Sequence, residues 1–296
     1  SIFSIDFKKI KIHSTNTYRI SNTSPSAASA TADLNGKAVE MACNEILNRL
    51  KLVAAEIFKC EVQDLTIMDG NISCKNNETK ISWVDLVQAA YVKRVALSEH
   101  SHYATPEIHY NSTTEKGHPF AYHVFGTSVS VVKLDCVRGI YEVESIKVVH
   151  DFGKPLNDLI DFGQVEGGIV QGMGWMTMEE IIYDQMGVLR SNALSTYKVP
   201  DIYSVPKVLE VHPYLCDEPM AIFGSKATGE PPLMYGLGVY FAIRNAVCAF
   251  NKNCSPTYSA PFTPEKVLMN LYAPIKPSSV KNESSIASLE INQQKS

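Results

Sequence analysis

The stretch 163–180 constrains this fold more than any other. Its apolar pattern is helical, yet glycine occupies positions 163, 167, 168, 172 and 174. Each glycine inside a helix costs roughly 1 kcal/mol relative to alanine, so this many in one segment require a compensating gain. Close approach of another backbone or of a ligand is the usual one. The glycines do not form a dinucleotide fingerprint. Gly172-Met-Gly174-Trp-Met-Thr177 lacks the third glycine and does not follow a strand.

The other elements emerge from periodicity. Ala38, Met41, Ala42, Ile46 and Leu50 recur at helical spacing, giving a helix over 36–50 for which Asp33 or Asn35 is a candidate cap. Ser82-Trp-Val-Asp85 reads as a capping box opening a second helix, with Leu86, Val87, Ala90 and Tyr91 on its apolar face. Ile10-Lys11-Ile12 reads as strand. Residues 121–149 read as two strands turning at Arg138-Gly139, with further strands at 208–214 and 221–223 and a final helix at 237–250. Strand runs broken by helices, without regular alternation, predict an α+β fold with mixed or antiparallel sheets and packed helices. Two lobes are expected, at 1–120 and 121–273, with a disordered polar tail at 274–296.

A chain of 296 residues can bury a sizeable core, and 45% hydrophobic with 20% charged residues is ordinary globular composition. The net charge is -4 with scattered Lys and Arg, which argues against nucleic acid or an anionic membrane as partner. No apolar run is expected to reach the roughly 18–20 residues that cross a bilayer. The cysteines at 43, 60, 74, 136, 216, 248 and 254 contain no CxxC pair, which suits reduced thiols in a cytoplasmic protein. Asn22, Asn71, Asn77, Asn111, Asn253 and Asn282 head N-x-S/T triplets, a pattern that arises often by chance. The chain opens at Ser1 without a signal peptide, and a truncated or processed product is expected.

Three segments carry candidate chemistry. In Ser225-Lys-Ala-Thr-Gly229-Glu230-Pro231-Pro232, glycine allows a sharp turn and two prolines stiffen the exit, so Glu230 is a carboxylate held on a rigid loop. A turn with an exposed Glu at the N-terminus of the next helix explains the same residues. Ser24-Pro-Ser-Ala27-Ala28-Ser29-Ala-Thr31 places hydroxyls among small side chains before a helix start, as an anion-binding loop or a plain Ser-rich surface loop would. Gly163-Gln164-Val-Glu166-Gly167-Gly168 offers an amide donor beside a bare face, open to a heteroaromatic ligand or to close helix packing. No P-loop and no G-x-S-x-G elbow is present. His100-Ser-His102 has no evident third metal ligand.

These segments occur in a familiar order. Asn22-Thr-Ser-Pro-Ser-Ala-Ala-Ser29, Phe162-Gly-Gln-Val-Glu-Gly-Gly-Ile-Val-Gln-Gly-Met-Gly174, Ser195-Thr-Tyr-Lys-Val-Pro200 and Ser225-Lys-Ala-Thr-Gly-Glu-Pro-Pro232 resemble the xanthine dehydrogenase and aldehyde oxidase family, over about residues 10–270. The resemblance is to the C-terminal part of the molybdopterin-binding subunit. Tyr103-Ala-Thr-Pro-Glu-Ile-His-Tyr110 and Gly172-Met-Gly-Trp175 look most like the separate subunit of bacterial xanthine dehydrogenases.

The resemblance implies Glu230 as general base. It implies cofactor contacts at Ala28, Ser29, Thr31, Gln164 and Gly229, and substrate contacts at Ala27 and Ala28. The Ala28 backbone would lie near molybdenum, with no side-chain metal ligand. A water-poor pocket would raise such a base toward neutrality. The implied reaction is hydroxylation of a carbon next to a ring nitrogen, taking hypoxanthine and xanthine to urate. The alternatives are an aldehyde oxidase-type hydroxylase and a non-catalytic remnant. Implied partners are the N-terminal half of the molybdopterin region and the [2Fe-2S] and FAD domains or subunit, in an assembled homodimer. Lys154-Pro-Leu-Asn-Asp158 departs from the family's Leu-Asn-Pro, and the tail after Pro274 has no counterpart.

Overall fold

The computed structural model describes residues 1–14, 16–18, 25–75, 77–256 and 258–273. Asn22, Ser24 and the polar tail expected at 274–296 lie outside the described residues.

The first helix, α1, spans Gly36–Phe58, two turns beyond the expected end. Leu50, Val53 and Ala54 are buried and continue the stripe begun by Leu47, so burial carries the helix past residue 50. Lys59 in the left-handed conformation ends it. The structure corrects the expected caps. Asn35 makes no capping bond, and the helix is entered through a π-helical turn at Thr31–Asn35 with Asp33 inside it.

A meander of β1 (Leu65–Met68), β2 (Asn71–Cys74) and β3 (Asn77–Ser82) comes next, all antiparallel, and the sequence pattern does not announce it. Helix α2 (Trp83–Val92) opens on the expected box, where Ser82 Oγ accepts from Asp85 N–H at 3.2 Å. Only Leu86 and Ala90 of its expected face are buried, while Val87 and Tyr91 are exposed. Leu86 and Ala90 join Leu50, Val53, Ala54 and Ile72 in one core. Ile10 and Ile12 form no strand and are exposed, contrary to the sequence reading.

Strands β4 (His109–Asn111) and β5 (Lys116–His118) pair antiparallel. The expected strand pair appears as β6 (Gly126–Asp135) and β7 (Ile140–Asp151), with the turn closed by Gly139 N–H donating to Asp135 O at 2.8 Å. Helix α3 spans Asp158–Thr177, and β8 (Val208–Tyr214) extends the sheet in the order β6-β7-β8. The strand expected at 221–223 is instead a turn, with Phe223 at φ +50° and Gly224 at φ +80°. The backbone pairs there only through isolated bridges, Glu218 with Gly224 and Gly153 with Ser225.

Helix α4 occupies Leu237–Phe250 as expected, and α5 (Pro264–Leu271), capped by Thr263, succeeds it. The run Pro231–Phe250 corrects one expectation. It is 20 residues long with mean hydropathy 1.4, enough by length and composition to cross a membrane. Val239, Tyr240, Ile243 and Val247 are nonetheless buried, and the Tyr240 ring lies 5.4 Å from that of Phe262. The mixture of helices with antiparallel pairs is the α+β class anticipated.

Cα packing groups the chain into two units. One comprises Ser1–Thr127, Val148–Ile169 and Val211–Met234, and the other Ser128–Lys147, Val170–Glu210 and Tyr235–Ser296. The candidate site falls within the first.

Candidate active site

The Glu230 loop is fixed at its root by a buried ion pair. Lys226 Nζ lies 2.7 Å from Asp151 Oδ2, with 4% and 0% of the two side chains exposed. Asp151 ends β7 and also accepts from Gly153 N–H at 3.0 Å. Lys226 N–H donates to Phe152 O at 2.9 Å, and its ammonium sits 5.7 Å from the Phe125 ring centre. A paired charge at this depth ties the loop to the strand, because separating the pair would strand an ion out of water.

The far end of the loop is held from the other side. Ser29 Oγ accepts from Thr228 N–H at 3.1 Å and from Gly229 N–H at 3.0 Å. These bonds join segments about 200 residues apart in the chain. Ala28 adopts φ +50°, and a Cβ built on Gly229 would lie 2.7 Å from the Ala28 carbonyl carbon. Glycine is therefore required at 229 by close approach. Gly229→Ala should cost about 1–3 kcal/mol by forcing the segments apart, read as a lowered Tm in thermal melts.

A third tie runs through Tyr122. Its hydroxyl donates to Asp33 Oδ2 at 2.7 Å, and Tyr122 shares the wall of one cleft with Ala227. Burial raises the Tyr122 phenol, reinforced by the Asp33 carboxylate it bonds. Burial likewise lifts the Asp33 carboxyl, partly offset by the Tyr122 hydrogen bond. A raised folded pKa means that folding favours the protonated form, so this group's contribution to stability falls as pH rises above the ordinary value of 3.8. Asp33→Asn should melt higher than the parent at pH 7, with the difference shrinking below that value. Thermal melts across pH 3–7 check the sign.

The sequence-derived residues are distributed unevenly around this joint. Ala28, Ser29 and Gly229 come together, with Ala27 and Glu230 next to them in the chain, and the Thr31 hydroxyl bonds that of Ser26. Gln164 is exposed on α3, one turn before Gly168 on the same face. A Cβ on Gly168 would meet Pro232 at 2.9 Å, so close packing explains that glycine, whereas Gly163 and Gly167 have nothing within 4 Å. The bare face is open beside Gln164. Glu230 is exposed, so this chain alone does not make the water-poor pocket expected for it.

A cleft of about 540 Å³ opens beside the joint, with Asp33, Tyr122, Ala227 and Pro231 among its walls and Ile108 and Phe120 supplying apolar surface. Among the described residues no group of three His, Cys, Asp or Glu side chains is arranged to hold a metal. Backbone amides, small residues, hydroxyls and one exposed Gln amide suit a large, flat ligand that takes many hydrogen bonds. Sequence reasoning did not find Tyr122 or the Asp151–Lys226 pair. Lys226 lies within the recognised loop, but nothing local marks Tyr122 in Pro119-Phe-Ala-Tyr-His123.

Residues 1–206 match the model of the molybdopterin cofactor-binding domain. The chain belongs to that family. It is 40% identical over 271 residues to xanthine dehydrogenase/oxidase of Felis catus, covering 89% of this chain and 19% of the relative. It is 37% identical over 253 residues to xanthine dehydrogenase of Dictyostelium discoideum, covering 83% and 17%. The chain thus spans about a fifth of the length of these relatives. Among solved structures, the aldehyde oxidoreductase of Desulfovibrio gigas aligns with TM-score 0.71 and 22% identity over 92% of this chain and 26% of that one. Quinoline 2-oxidoreductase of Pseudomonas putida 86 aligns with TM-score 0.69 and 22% identity over 83% and 30%. At this identity the structural likeness establishes the fold.

Proposed function

We propose that this chain is the part of a xanthine dehydrogenase-type molybdenum hydroxylase that carries the base, Glu230. The observation that carries the reading is the double hydrogen bond from Thr228 and Gly229 to Ser29. It builds one wall from the two segments that the family resemblance marks as cofactor-binding, with Glu230 next in the chain. The names of the relatives support a purine as substrate.

Molybdopterin fits the open Gln164 face, the Ala28–Ser29 turn and Gly229, and when bound it supplies the two-electron redox chemistry of the hydroxylation. The chain's own residues do the rest. Ser29 fixes the backbone of Thr228 and Gly229, Lys226 and Asp151 fix the root, and Pro231 and Pro232 stiffen the exit, so the Glu230 carboxylate is presented with few accessible positions. It then accepts the proton of the oxygen that attacks an electron-poor carbon beside a ring nitrogen. Covering by substrate and by the region that precedes these motifs in the relatives would dry the carboxylate and make it a stronger base. Iron–sulfur and flavin partners carry the electrons away.

The test is the assembled enzyme, meaning this chain with the preceding region and redox partner found in such relatives. Molybdenum content and kcat/KM for xanthine and for a small aldehyde are measured together. Molybdenum with xanthine turnover supports the reading. Aldehyde oxidation alone would move the substrate class, and an assembly that folds without molybdenum would leave a non-catalytic remnant.

A further inference from the structure

The Asp33–Tyr122 hydrogen bond has no part in the proposed chemistry, yet it lies beside the joint that forms the site wall. Resting on the proposed function, we infer that Tyr122 is a positioning residue that sets the entrance of α1 against the Glu230 loop through one hydroxyl. It donates to Asp33 Oδ2 at 2.7 Å, and Asp33 N–H donates in turn to Ser29 O at 3.1 Å. Ser29 then holds Thr228 and Gly229 through its side chain. The result is a relay of hydrogen bonds from Tyr122 through Asp33 and Ser29 to residues 228–229.

Two features of this relay argue for positioning rather than general stabilisation. Asp33 sits in a π-helical turn at Thr31–Asn35, an irregularity that recurs at functional sites and needs outside support. Its carboxylate caps nothing and is half-buried, an arrangement that burial disfavours. The core of α1, β2 and α2 involves neither Asp33 nor Tyr122. A bond that costs desolvation and serves two loops is better accounted for by what it aligns than by what it stabilises.

The experiment reads backbone amides directly. Hydrogen–deuterium exchange is measured on the full chain for peptides spanning 222–233, in the parent, Tyr122→Phe, Asp33→Asn and Asp33→Ala. Tyr122→Phe and Asp33→Ala should speed exchange at 228–229 by about fivefold or more, as expected for the loss of a hydrogen-bonded support, while α1, β2 and α2 stay protected. Asp33→Asn retains an acceptor for the phenol and should restore parental exchange. If Tyr122→Phe does not fold, Asp33→Ala against Asp33→Asn gives the same comparison. In the assembled enzyme Tyr122→Phe should lower kcat by up to about 10²-fold with KM little changed, the effect of a misplaced group.

Unchanged exchange at 228–229 in both disruptive variants overturns the inference, as does a rise spread evenly through the α1–β2–α2 core. The outcome is separable from that of the proposed function. Faster loop exchange in an assembly that never holds molybdenum would leave the positioning role and remove the cofactor. Unchanged exchange in a fully loaded, active assembly would do the reverse.

Discussion

Glu230→Gln in the assembled enzyme should lose about 10²–10⁴ in turnover, the usual contribution of a positioned general base, with molybdenum content unchanged. Gln keeps the size and a hydrogen-bonding oxygen but cannot take a proton at neutral pH. The backbone there is set by neighbours. Ser29 holds residues 228 and 229, Lys226 holds the root, and the 3₁₀ turn Pro231–Gly236 lies immediately beyond. The substitution should therefore leave fold and cofactor cradle alone, and elemental analysis separates a lost base from a lost cofactor. A variant that loses molybdenum and turnover together would place Glu230 in cofactor retention instead.

The largest effect on stability is expected at Asp151. Asp151→Ala leaves the Lys226 ammonium, only 4% exposed, without its partner, and also frees Gly153 N–H. Breaking one side of a buried pair costs about 3–5 kcal/mol, which corresponds to a fall in Tm of roughly 10 °C in a chain of this size. Asp151→Ala with Lys226→Met should recover much of that loss, because an apolar pair carries no stranded charge. Melts of the single and double variants decide the matter. A single variant within about 1 kcal/mol of the parent would show that water reaches Lys226 and that the pair does not anchor the loop.

Local features are legible in the sequence. The Ser82 box opens α2 because its donor and acceptor lie three residues apart, and α4 is bounded by its own apolar stripe and the flanking prolines and glycines. The Arg138-Gly139 turn is equally self-contained. Features that depend on partners far along the chain are not legible. Asp33 looks like a cap because Ser, Asp and Asn favour that place, but Tyr122, 89 residues away, takes its carboxylate. The apolar run at 221–223 looks like strand, yet Phe223 and Gly224 turn to positive φ and place Ser225 opposite Gly153 and Lys226 beside Asp151 at the end of β7. The site is legible as separate motifs in family order. Their joining through Ser29, and the support beneath Lys226, require coordinates, since no spacing rule links positions 29 and 229.

The measurement closest to the central proposal is one turnover without an electron acceptor. Molybdenum-loaded assembly is mixed anaerobically with one equivalent of xanthine per molybdenum, and urate is quantified against molybdenum in the parent and in Glu230→Gln. The expected result is rapid urate formation stoichiometric with molybdenum in the parent and none on that timescale in the variant. Urate formed by the variant at the parental rate, or a fully loaded parent that forms none, would contradict the assignment of Glu230 as the base of a purine hydroxylase.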